Sequence, residues 1–112
     1  MKDDRLYLTH IIDAADKVCE YTKGGYDDFV HTPMIQDAVI RNFEIIGEAA
    51  RKVSEQTKQQ NQNVPWKAMI GLRNILIHDY TGVDFNRVWD VIENHLPKLQ
   101  SSVRACLTNF TG

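Results

Sequence analysis

Within fourteen positions, this 112-residue sequence gathers side chains from which phosphate chemistry can be assembled: Lys67, Arg73, Asn74, His78 and Tyr80. A guanidinium presents a planar fork of donors that matches a phosphate. An imidazole both takes and gives a proton near neutral pH, and a place near the C-terminal end of a helix favours its charged form. Asn74, one helical turn before His78, is placed to hold the imidazole tautomer or a phosphate oxygen. Each residue also has an ordinary reading: an arginine that snorkels or pairs with a carboxylate, a solvated histidine, an exposed asparagine, a tyrosine with its hydroxyl out.

Spacing decides how these residues combine. At 100° per residue, Lys67, Gly71, Asn74 and His78 fall in one polar stripe about 60° wide, with a glycine as its floor. Arg73 lies about 140° from His78, among Trp66, Met69, Leu76, Ile77 and Tyr80. A guanidinium on an apolar face is costly unless its charge is met by a partner or reaches solvent. One such partner is a phosphate in a cleft between two subunits.

The elements that must position this helix can be read along the chain. Apolar residues at three- and four-residue steps from Leu8 to Cys19 predict a first helix with Asp3 and Asp4 at its start and Gly24-Gly25 at its end. Thr32 is expected to cap a second helix, with Pro33 at its first position and a stripe of Ile35, Ala38, Val39, Phe43, Ile46, Ala49, Ala50 and Val53. The Gln/Asn-rich residues 55–63 read as a frayed end and loop. Pro65 opens a third helix that closes near His78 to Tyr80. Asp84 starts a fourth, with Val83 and Val88 as a hydrophobic staple. Pro97 ends or kinks it, and a last helix carries Leu99, Val103, Cys106 and Leu107. No stretch alternates with a period of two, so the expected fold is an all-α bundle of four to five helices, forming one domain over residues 1–112.

Composition narrows the function. Thirteen basic and fifteen acidic residues give a net charge of −2, so any grip on a nucleic-acid backbone must be local. Apolar runs are too short for a membrane span, and the N-terminal residues do not form a signal peptide. Cys19 and Cys106 lie far apart, which fits reduced thiols and a cytoplasmic location. His10, His31, His78 and His95 show no metal-ligand spacing, so neither a metal nor a cofactor is expected.

The string from Arg73 to Tyr80 resembles the Arg-x4-His-x-Tyr motif of the HepT-like ribonuclease toxins, a branch of the HEPN superfamily. Residues 41–50 resemble that family's second-helix block, and residues 64–72 resemble the lead-in to its active helix. Asp84, Trp89 and Leu96-Pro97 fall where similar chains carry the same types. The resemblance implies a HEPN-like homodimer with paired active helices facing one cleft, and metal-independent RNA endonuclease activity in which Arg73, His78 and Asn74 are catalytic. It also implies a type VII toxin–antitoxin pair, in which an MntA-like nucleotidyltransferase antitoxin transfers AMP to Tyr80.

The residues supply a matching mechanism. Cleavage by a ribose 2′-hydroxyl needs a base, an acid for the leaving oxygen and positive charge on the phosphorane. Lys67 is expected to help hold the RNA. The rival reading is a non-catalytic helical subunit that docks a minimal nucleotidyltransferase; an arginine on an apolar helix face argues against it.

Overall fold

The computed structural model describes residues 2–77 and 84–109, and the side chains of residues 2 and 73–77 fall outside that description. Every element among the described residues is helical. Helix α1 (Lys2–Tyr21) buries Leu8, Ile11, Ala15 and Val18 along one face. It stops where the Thr22 hydroxyl donates to the Val18 carbonyl at 2.7 Å. Gly25, at φ 92°, then takes the left-handed backbone that reverses the chain.

A short helix that periodicity does not reveal follows, α2 (Tyr26–His31). Helix α3 (Pro33–Lys52) carries the expected stripe, of which Val39, Phe43, Ile46, Ala49 and Ala50 are buried while Ile35 and Ala38 are half-buried. Thr32 occupies the cap position but makes no side-chain cap bond, contrary to expectation. Its hydroxyl turns instead toward Asp28 at 3.5 Å. The amide of Gln36 closes this junction, donating to the carbonyls of Phe29 and Val30 at 3.1 and 2.9 Å.

The expected loop after α3 is also corrected. Residues Glu55–Gln60 form helix α4, with Ser54 as its cap. The Ser54 hydroxyl accepts from the Thr57 amide at 3.3 Å and donates to Asp4 at 2.5 Å. A long-range carboxylate therefore supports a segment that has no apolar stripe of its own.

Helix α5 (Trp66–Ile77) begins directly after Pro65. The expected closure at residues 78–80 lies outside the described residues. Asp84 caps helix α6 (Phe85–Asp90) as expected, accepting from the amides of Asn86 and Arg87 at 3.1 and 3.3 Å. Val88 is buried, and its staple partner Val83 lies outside the described residues. A π-helical turn (Val91–His95) then leads without a loop into α7 (Leu96–Thr108). Pro97, in the first turn of α7, has no N–H to donate backward, and the widened turn accommodates that missing bond. The result is one rod broken near the proline.

The long helices pack in the spatial order α7, α1, α3, α5. Phe43 and Ile46 of α3, Leu96 and Val103 of α7 and Met69 of α5 join the buried face of α1 in one hydrophobic core. Phe29 of α2 packs edge-on against Phe85, at 5.7 Å between ring centres, and tilts against Trp89 at 5.5 Å. A two-pronged ion pair from Arg104 to Asp16, at 2.7 and 2.8 Å, clips α7 to α1. Between α5 and the α6–α7 rod lies a groove of about 790 Å³. No helix among the described residues is long and apolar enough to cross a membrane.

Candidate functional site

Helix α5 is placed by its apolar face. Trp66 and Met69 are 8% and 0% exposed, and the indole of Trp66 donates to the Asn61 carbonyl at 3.0 Å, which fixes the start of the helix. Leu72 completes the contact with the core. The helical register puts position 73 between those of Met69 and Trp66, both of them buried.

The polar stripe begins as expected. Lys67 is exposed. At Gly71 a side chain would meet nothing within 4 Å, so the stripe has an open floor. Position 74 follows in the same register, one turn beyond Ile70 and Gly71. The structure thus brings Lys67, Gly71 and the backbone of Arg73 and Asn74 together on one helix. Expectations for the side chains of Arg73 and Asn74, and for His78 and Tyr80 altogether, lie outside the described residues. The remaining histidines behave as surface residues. His10, His31 and His95 are exposed, with the His31 ring against the Asp27 carbonyl at 2.8 Å and His95 against Asp90 at 3.5 Å.

Gly71 also forms one edge of the groove. Ala68, Met69 and Leu72 continue that wall from α5, while Val91, Lys98 and Leu99 face them from the rod. Sequence reading did not single out Arg87, His95 or Lys98, which stand along the groove's rim. Their spacing on the rod was the available signal, but α5 and α7 meet only in the folded chain. A smaller hollow of about 310 Å³ between α1 and α3 involves Tyr7, Arg41 and Lys52. There the Lys52 ammonium lies 5.9 Å from the Tyr7 ring centre, a contact within the chain.

The two thiols differ. Cys19 is exposed and Cys106 is buried, and neither is in a disulfide. Burial pushes the Cys106 thiol above its ordinary value, with the nearby Asp4 carboxylate adding to the effect, so it behaves as an inert core residue.

With this geometry in place, the chain can be compared with known proteins. The family described as Ribonuclease HepT-like matches residues 11–106, a span that takes in α5 and the whole Arg73 to Tyr80 string. A Methanocaldococcus jannaschii protein named "Putative RNase MJ1380" is 43% identical over 103 residues, covering 91% of this chain and 94% of its own. A Caldanaerobacter subterraneus protein named "Putative RNase TTE0752" is 37% identical over 108 residues, covering 96% of both chains. A Thermococcus cleftensis protein named "Probable ribonuclease HepT" is 36% identical over 95 residues, covering 84% of this chain and 86% of its own. No solved structure matches at comparable significance. The chain belongs to the HepT-like ribonuclease family.

Proposed function

We propose that this protein is a metal-independent RNA endonuclease and the toxin of a type VII toxin–antitoxin pair, acting as a homodimer through Arg73 and His78. What supports this reading is the match to a ribonuclease family over residues 11–106, together with the register of α5, in which position 73 falls between those of the buried Trp66 and Met69. A charge there needs an anion, and an RNA phosphate supplies one.

The chemistry is a transphosphorylation. The ribose 2′-oxygen forms a bond to phosphorus as a base removes its proton, and the 5′-oxygen leaves as an acid returns one. The guanidinium stabilises the charge that builds on the phosphorane oxygens. Each protomer contributes one His78, so two copies facing one cleft supply base and acid together. Asn74 orients the imidazole or the phosphate, and Lys67 draws RNA to the stripe.

Tyr80 is the point of control. Transfer of AMP from ATP to its hydroxyl, with release of pyrophosphate, adds a bulky anion seven positions along the chain from Arg73, to compete with RNA for the guanidinium. The donor is an MntA-like nucleotidyltransferase antitoxin. Tyr80→Phe is expected to cleave RNA and to escape this inactivation; covalent silencing of that variant by the antitoxin and ATP would remove Tyr80 from the role.

The direct test incubates purified wild type, Arg73→Ala and His78→Ala with total RNA and a chelator. Wild type cleaves and both variants lose about 100-fold or more. Equal cleavage by all three would dismiss the site, and no cleavage by any would favour a docking subunit without catalysis.

A further inference from the structure

The groove between α5 and the α6–α7 rod carries charge that the described chain leaves unanswered. Its floor is apolar, with Met69, Leu72 and Leu99 0%, 5% and 4% exposed. Its rim carries two cations, Arg87 and Lys98, exposed along the rod with His95 between them. The rim's carboxylate, Asp90, is already engaged, accepting from the Asn94 amide at 2.7 Å and facing His95 at 3.5 Å. Among the described residues, neither Arg87 nor Lys98 has a carboxylate within ion-pair distance. In a chain of net charge −2, two uncompensated cations above an apolar trough focus a positive field where the global charge would not. That combination suits a ligand with an apolar body and anionic links.

Size and position identify the ligand further. A groove of about 790 Å³ is within the range that encloses a nucleotide-sized group. Gly71 belongs both to this groove and to the polar stripe, so whatever lies in the groove passes beside the stripe. Among the described residues the floor contains no aromatic ring, so these contribute apolar contact rather than stacking to a base.

We propose that this groove binds the RNA strand flanking the scissile linkage, with Arg87 and Lys98 on backbone phosphates and an unstacked base against Met69, Leu72 and Leu99. The inference rests on the ribonuclease reading and extends it from the reacting atoms to the strand that presents them. Phosphate contacts of this kind position the strand and carry little sequence preference. Neither cation touches the reacting atoms, so both are binding residues.

The test measures affinity for a 2′-O-methyl oligonucleotide, which cannot be cleaved because its 2′-oxygen is blocked, across a salt series. Cleavage of unmodified RNA is followed in parallel. Arg87→Ala with Lys98→Ala is expected to weaken binding about 10-fold or more and to lower the slope of log affinity against log salt by about 1 to 1.5, at roughly 0.7 for each phosphate contact. Cleavage of unmodified RNA follows the loss of affinity, with KM rising by about the same factor. Arg87→Lys with Lys98→Arg restores the salt slope. Ala68→Trp, which fills the groove without removing charge, weakens binding as well. Circular dichroism and light scattering confirm that fold and mass are retained.

Unchanged affinity and slope in the double variant, with wild type still cleaving RNA, would overturn the proposal and leave the ribonuclease reading intact. A change in mass on charge removal would overturn it in favour of an interface between copies of this chain. Failure of wild type to bind or cleave any RNA would bring down the ribonuclease reading itself, and this inference with it.

Discussion

Asp4 and Arg87 are both charges held beside apolar helix faces, and the molecule treats them in opposite ways. Asp4, near the start of α1, is 2% exposed. Its carboxylate accepts from the Ser54 amide at 2.9 Å, the Ser54 hydroxyl at 2.5 Å and the Thr57 hydroxyl at 2.6 Å. Arg87 stands exposed at the groove rim with no ion pair among the described residues. One charge is answered from within the chain and holds two remote segments together. The other has no carboxylate partner among the described residues and is available to the RNA phosphate proposed above.

Breaking the first region should produce the largest change in stability. Asp4→Ala leaves the Ser54 and Thr57 donors without their acceptor and is expected to cost about 2 to 3 kcal/mol, read as a lower denaturant midpoint. Cleavage per folded molecule is expected to stay unchanged, because the Asp4 carboxylate bonds Ser54 and Thr57 and no residue of the stripe. The same carboxylate gives a pH signature. Burial by itself would raise its value, but the hydrogen bonds from Ser54 and Thr57 outweigh that and hold it below the ordinary 3.8. A group lowered on folding contributes its stability fully above the unfolded value and loses it as the pH falls through the folded one. Wild type is therefore expected to lose stability below about pH 4 more steeply than Asp4→Asn, which has no proton to take up. Parallel acid unfolding of the two proteins would show that Asp4 is not the group responsible.

The second region should respond in the reverse sense. Gly71 lies inside a helix, where glycine costs about 1 kcal/mol relative to alanine, and a methyl group there meets no neighbour within 4 Å. Gly71→Ala is expected to raise stability by about 0.5 to 1 kcal/mol while weakening RNA binding, because the floor of the stripe rises. A variant that gained stability and bound RNA as well as wild type would show that the open floor has no part in recognition.

The sequence made the local elements plain and the long-range ones obscure. The cap at Asp84, the proline at the start of α3 and the apolar faces of α1, α3 and α5 could all be read, because capping chemistry and helical period act within a few residues. Helix α4 could not, since its support comes from Asp4, fifty positions away in the chain. Thr32 misled for a different reason: the right residue type stood at the cap, but its hydroxyl donates to Asp28 in the preceding helix instead of accepting from the first amides of α3. The arginine position on α5 was legible through Trp66 and Met69, whose burial the structure bears out. The groove was not, because Arg87 and Lys98 look like ordinary surface cations until α5 and the α6–α7 rod are seen as its two walls.

The central claim is that one scissile linkage is served by His78 from each of two copies. It is tested most directly in a mixed dimer, isolated through two different tags, that pairs one wild-type protomer with one His78→Ala protomer. This dimer is expected to lose nearly all cleavage of total RNA in the presence of a chelator, close to the level of the doubly substituted protein. Retention of half the wild-type rate would mean that each protomer cleaves alone, and would contradict it.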